Sequence, residues 1–241
     1  MAVEGLPRDF RGWRLHQWTS SDDRVRGGKS QSFLESRGTA AYFHGTLDIT
    51  ALGGAGFASQ RTVGEDQHWN LESFAGIEVS IDLSRSDDNV YTLILKDELL
   101  PPNASDGREQ ATVSWEYDFS KSKCRPFPQI DSSTTTTTSS YQSVFVPWDH
   151  FKPTYRGKLV NTPKSLDLSN IKRVSIMIRS FFGSQHGDFH VRVLSLVAVA
   201  VSSTKPARMP STVAGNASGH QKDAQVATTA AVSGNGRRDG E

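Results

Sequence analysis

Residues 76–83 read Gly76-Ile77-Glu78-Val79-Ser80-Ile81-Asp82-Leu83. Ile77, Val79, Ile81 and Leu83 alternate with polar residues, so a period of two puts every apolar side chain on one face. That is the pattern of a half-buried strand. Residues 111–119 repeat it, with Val113, Trp115, Tyr117 and Phe119 on one side and Thr112, Ser114, Glu116 and Asp118 on the other. A buried side chain of this kind contributes roughly 1.5–3 kcal/mol, so one such face can anchor a sheet.

Working outward, strand-like segments recur at 40–48, 56–61, 89–96, 143–148, 171–180 and 188–199. The last three or four carry apolar residues on both faces and are expected to lie more centrally in their sheets. Turn-forming clusters such as Ser86-Asp87-Asp88-Asn89 and Pro101-Pro102-Asn103 fill the gaps. No amphipathic pattern runs for three helical turns. Strands with turns between them predict an all-β fold, an antiparallel β-sandwich of jelly-roll type.

The 241-residue chain is 36% hydrophobic and has a formal net charge of +1. That balance gives no global attraction to nucleic acid or to an anionic membrane. The longest apolar run, Leu194 to Val201, is strand-sized, so no membrane-spanning segment is expected. Cys124 is the only cysteine, which excludes an intrachain disulfide or a thiolate cluster and suits a reducing compartment. The opening residues lack an apolar signal core and include Glu4 and Asp9, so no targeting leader is expected and the cytoplasm stays open as an address. The expected organisation is a short arm at 1–12, a sandwich at 13–200 and a disordered tail at 202–241 that has no aromatic residue. A Ser/Thr-rich patch predicts a flexible loop at about 129–142.

Gly27-Gly28-Lys29-Ser30 raises the question of a phosphate-binding loop. Such a loop needs a glycine at position 23, where Asp23 would repel the phosphate, and a long helix afterwards that the sequence does not supply. The seven histidines form no zinc-binding spacing, and there is no GxSxG elbow. Asp22-Asp23 and Asp87-Asp88 could suggest calcium or a glycosidase dyad, but adjacent acids beside Gly or Asn read as solvated turn residues. Cys124 sits beside Arg125 and near Lys121 and Lys123, which could lower its thiol pKa, yet no base partner is apparent. Trp115 reads as core. Trp18, Trp69 and Trp148 read as strand-end anchors, with a sugar-stacking platform as the competing use. Arg24, Arg26 and Lys29 interleave with Asp22 and Asp23, a mixed field that argues against nucleic-acid binding.

Several motifs follow one another in order. They are Trp18, the Ser21–Ser30 segment, Phe43-His44-Gly45-Thr46-Leu47, Gly53-Gly54-Ala55-Gly56-Phe57 through Arg61, Leu71 through Ile77, Val146-Pro147-Trp148, and Gly187-Asp188-Phe189. Over residues 13–200 this chain resembles the complex I intermediate-associated protein 30 family. The resemblance implies a sandwich similar to galactose-binding domains, with no catalysis, cofactor or metal. It also implies a chaperone or assembly factor that binds subunits or intermediates of respiratory complex I (NADH dehydrogenase) in the mitochondrion, any membrane contact coming through those partners.

Within that frame Asp22, Asp23, Arg24, Gly27, Gly28, Ser30, Gly53, Gly54 and Arg61 are candidates for partner binding or for pinning loops. The glycines allow positive φ and close backbone approach, Asp22 and Ser30 can bond the loop's own N–H groups, and Arg61 could pair with Asp22 or Asp23. Fold does not dictate function, so a carbohydrate-binding module is the alternative. A dinucleotide-linked enzyme is disfavoured because no glycine fingerprint is present.

Overall fold

The structure, a computed structural model, describes residues 13–64, 67–126 and 141–201. The arm at 1–12, the tail at 202–241 and nearly all of the Ser/Thr-rich loop lie outside the described residues. The strands in chain order are β1 (Trp18–Ser20), β2 (Gln31–Arg37), β3 (Ala40–Leu47), β4 (Phe57–Thr62), β5 (Phe74–Asp82), β6 (Tyr91–Lys96) and β7 (Ser114–Phe119). They continue with β8 (Arg125–Pro126), β9 (Tyr141–Pro147), β10 (Lys152–Tyr155), β11 (Lys158–Leu159), β12 (Arg173–Arg179) and β13 (Gly187–Ala200). Every helical segment among the described residues is a 3-10 turn of three or four residues.

Two antiparallel sheets stack. A seven-stranded sheet runs β1-β4-β12-β6-β7-β10-β11, and a six-stranded sheet runs β2-β3-β13-β5-β9-β8. The alternation seen in the sequence is the packing rule. Ile77, Val79 and Ile81 of β5 are 6%, 0% and 1% exposed, facing Leu93, Leu95, Ile176 and Ile178 in one core. Phe43, Tyr91 and Phe189 bridge the sheets at one end, with ring centroids 5.1–6.4 Å apart. β12 and β13 lie inside their sheets, as expected of strands apolar on both faces, and β9 sits one place from an edge.

Some boundaries differ from the sequence reading. Leu83 leaves the strand because the Asp82 carboxylate accepts from Ser84 N and starts a 3-10 turn. β7 begins at Ser114, since Thr112 is fastened by its side chain to Glu98 O and Lys96 Nζ rather than by the ladder. β9 takes in Tyr141 and Gln142, the last two positions of the expected flexible loop. β2 was not expected as a strand, because its inward positions carry Ser32 and Leu34 rather than an apolar run.

Candidate functional site

β1 ends at Ser20, and the chain turns inward at Asp22-Asp23. These acids are 8% and 0% exposed, so they are not the solvated turn residues their neighbours suggested. Asp22 accepts from Ser32 N (3.0 Å), Ser32 Oγ (2.6 Å) and Ser59 N (2.9 Å). Asp23 accepts from Ser30 N (3.0 Å), Ser30 Oγ (2.7 Å) and Phe57 N (3.0 Å). Each carboxylate thus takes one hydroxyl and two backbone N–H groups, one donor segment leading β2 and the other in β4. The pair clamps the first strand of the six-stranded sheet to the seven-stranded sheet. Buried charge is stable here because its lone pairs are satisfied by fixed dipoles. Asp87 is also drawn in, accepting from His190 N and Tyr91 Oη, whereas Asp88 is 93% exposed.

Gly27 and Gly28 divide two tasks. Gly27 has φ of 83° and ends the 3-10 turn Asp23–Arg26 in the left-handed region. Gly28 has no such dihedral, but a Cβ there would lie 2.1 Å from Asp23 Oδ1, so its missing side chain is the space the carboxylate occupies. Gly53 and Gly54 make a separate turn, at φ of 63° and 90°, tied down where Ser180 Oγ donates to Gly54 O (2.9 Å). They do not line the cleft described next. Arg61 pairs with Glu109 (2.6 Å) and not with Asp22 or Asp23, whose oxygens are filled by N–H and hydroxyl groups.

With both acids turned in, Arg24, Val25 and Arg26 are left outside, Val25 being 71% exposed. At this surface the basic side chains are the exposed ones, with the Asp22 and Asp23 carboxylates beneath them. These residues line an open cleft of about 1120 Å³ together with Phe33, Arg61, Arg108, Glu109 and Arg156. Phe33 is 45% exposed. Arg156, at φ of 51°, projects from the β10–β11 turn, so the lining reaches from the first strand of the larger sheet to its sixth. A second cavity of about 230 Å³ holds Lys96, Arg173 and the other side of Glu109. The Glu109 carboxylate bridges the two, held by Arg61 and by Arg173 Nη1 (3.1 Å) and Nη2 (3.3 Å). Burial, and next the neighbouring Arg173, pull the Lys96 ammonium down to about 8.

A further charged group lies on the larger sheet: Arg179 pairs with Glu116 (2.6 Å) and Asp118 (2.7 Å), which also accept from Thr154 and Thr92. Cys124 is buried and its thiol is pushed up to about 11 by that burial, the reverse of the activation its basic neighbours suggested. Among the described residues no group of three His, Cys, Asp or Glu could hold a metal ion. Trp18 and Trp69 are each 8% exposed and pack in the core, and Trp148 donates its Nε1–H to Phe74 O (2.7 Å). No helix among the described residues is long and apolar enough to cross a membrane. Sequence reasoning missed Phe33, Arg108, Glu109, Arg156 and Arg173. They come from separate strands, a polar loop and a hairpin turn, and no local pattern marks them as neighbours.

The fold and clamp define a two-sheet jelly-roll-like module with a charged lateral cleft. The chain belongs to the family described as complex I intermediate-associated protein 30, whose pattern matches residues 8–193. An uncharacterized protein of Schizosaccharomyces pombe, C9E9.15, is 43% identical over 192 residues, covering 78% of this chain and 80% of that one. Among solved structures, the family 11 carbohydrate-binding module of the cellulosomal cellulase Lic26A-Cel5E of Clostridium thermocellum is similar, with a TM-score of 0.47 and 16% identity over 83% of this chain and 97% of that chain. The same organism's family 11 module in complex with a β-1,3-1,4-mixed-linked tetrasaccharide gives 0.43 and 16% over 80% and 94%.

Proposed function

We propose that this protein is a non-catalytic assembly factor that holds subunits or intermediates of respiratory complex I, with mitochondria as its site of action. The observation that carries the reading is the family match across nearly the whole sandwich. The site supports it: the carboxylates of the clamp are committed to holding the fold, while the open cleft offers arginines and the exposed Val25 and Phe33. Such a mixture suits another protein's surface, where charge sets register and apolar contact adds affinity. The proteins it contacts are then incompletely assembled ones, engaged at the rim where β1 and β2 approach each other.

The test is capture of the tagged full chain from cells after brief crosslinking, with the bound proteins identified by mass spectrometry. Native gels of respiratory complexes from cells lacking the protein accompany it. Enriched complex I subunits and accumulated subassemblies are the expected result. Unchanged complex I abundance with no such subunits captured would reject the reading, and selective retention on a glycan array would replace it with the carbohydrate-binding alternative.

A further inference from the structure

We infer that the cleft takes an acidic segment of the partner protein, and that Glu109 is an internal competitor which occupies its carboxylate site until the partner displaces it. This rests on reading the cleft as the partner surface, and it adds the chemistry the partner must have.

Charge is the first support. The cleft is lined by Arg24, Arg26, Arg61, Arg108 and Arg156 against Asp22, Glu35 and Glu109. Asp22 is consumed by the clamp, and Glu35 is bound by Arg37 and His44, both at 3.3 Å. Glu109 is the remaining acid, and it belongs to the exposed loop between β6 and β7. Arg24, Arg26 and Arg156 are all exposed, and Arg108, also exposed, lies 3.8 Å from the half-exposed Asp106 carboxylate. Arginine forks bind carboxylates in pairs of parallel hydrogen bonds, and Arg173 already grips Glu109 in that manner. The protein thus displays, within itself, the ligand group its arginines select.

The second support is the position of Glu109. Its carboxylate is 46% exposed while the Arg173 guanidinium beneath it is 7% exposed. Arg173 Nε is buried with no acceptor among the described residues, and Lys96 beside it donates to Thr112 rather than to a carboxylate. Removing Glu109 therefore uncovers the buried Arg173 guanidinium, which calls for another carboxylate. Such a plug lowers apparent affinity by the fraction of time it is seated, and a plug in place about nine-tenths of the time costs about tenfold. The chain's own residues 202–241 carry five Lys or Arg against three Asp or Glu, so they lack the charge to be the occupant.

The experiment uses the full-length protein and a fluorescein-labelled ten-residue peptide containing four glutamates and two leucines, read by anisotropy. A matched peptide with glutamine for glutamate and a ten-nucleotide oligouridylate are run beside it. The glutamate peptide is expected to bind more tightly than both, to weaken as salt rises, and to bind about tenfold more tightly to Glu109→Gln. Equal affinity for the glutamine peptide, preference for the oligouridylate, or no gain in Glu109→Gln would overturn the inference. If Glu109→Gln does not fold, Arg24→Glu with Arg26→Glu decides instead, since both side chains are exposed. Loss of at least about tenfold in affinity with an unchanged melting temperature supports the site, and unchanged affinity refutes it. Peptide binding without complex I capture would leave this site standing and remove only the client assigned above; capture without peptide binding would do the opposite.

Discussion

Replacing Gly28 by alanine should be far more costly than its surface position suggests. An alanine Cβ would stand 2.1 Å from Asp23 Oδ1 and 2.2 Å from its Cγ, where real Cβ contacts stay above 3.0 Å. The carboxylate must then move by about 1 Å, and it is fixed by donors at 3.0, 2.7 and 3.0 Å from Ser30 and Phe57. Hydrogen bonds to a charged group contribute about 1.5–3 kcal/mol each, so losing two of the three costs about 4 kcal/mol. For a domain of this size that is a fall of about 8–16 °C in melting temperature, measured by circular dichroism. Gly27→Ala is the control, because its φ of 83° meets open space and should cost about 1 kcal/mol. The decisive step is a double-mutant cycle. In an Asp23→Ala background no carboxylate remains to collide with, so adding Gly28→Ala should cost less than about 1 kcal/mol. Fully additive costs would refute the collision. An intact Gly28→Val fold that had lost partner capture would move the glycine from stability to binding.

Further outcomes follow from the buried ionisable groups. Lys96 has its pKa lowered from 10.5 to about 8 by burial and then by Arg173, so the unfolded chain binds the extra proton between those values. Stability from this group therefore rises by about 3 kcal/mol as pH climbs from about 8 to 10.5, and urea unfolding of Lys96→Met should lack that rise. The buried Cys124 thiol, raised from 9.0 to about 11, acts with the opposite sign: the stability it contributes is lost as pH rises from about 9 to 11, so the Lys96 comparison is best made in a Cys124→Ala background. At pH near 8 the same thiol should react with a maleimide about a hundredfold more slowly than an exposed cysteine, and a rate equal to free cysteine would contradict its burial. Arg179→Met should destabilise by about 3 kcal/mol because Glu116, 7% exposed, loses its cation, whereas the double variant with Glu116→Gln should recover much of that loss in thermal unfolding.

The sandwich was legible wherever one sheet face is apolar and the other polar, as in β5 and β7, because burial on a single face imposes the period of two directly. The edge strands β2, β8 and β11, and β10 next to an edge, were not. β2 packs Ser32 inward against the Asp22 carboxylate, so its core-facing position is polar and the alternation disappears from view. β8, β10 and β11 have two to four residues, too few for any period to register. At the site, Asp22, Asp23, Gly28 and Ser30 were legible as one linked group because they lie in one short segment. Glu109 and Arg173 were not, since only the pairing of β12 with β4 and β6 brings Arg173 beside the loop that carries Glu109.

The inward turn of the two acids also sets which side chains the cleft presents, five arginines against Asp22, Glu35 and Glu109. A mixed-sign stretch such as Asp22-Asp23-Arg24-Val25-Arg26 has little net field while all its members face water. The 3-10 turn that begins at Asp23 separates them: the carboxylates are hydrogen-bonded by serine hydroxyls and backbone N–H groups inside, and the guanidinium groups stay outside. The clamp and the cleft are therefore one construction. Freeing the Asp22 and Asp23 carboxylates would loosen the join between the sheets and, in the same movement, expose two further acids beside the arginines. The join between the sheets and the inward placement of both acids depend on the same six hydrogen bonds.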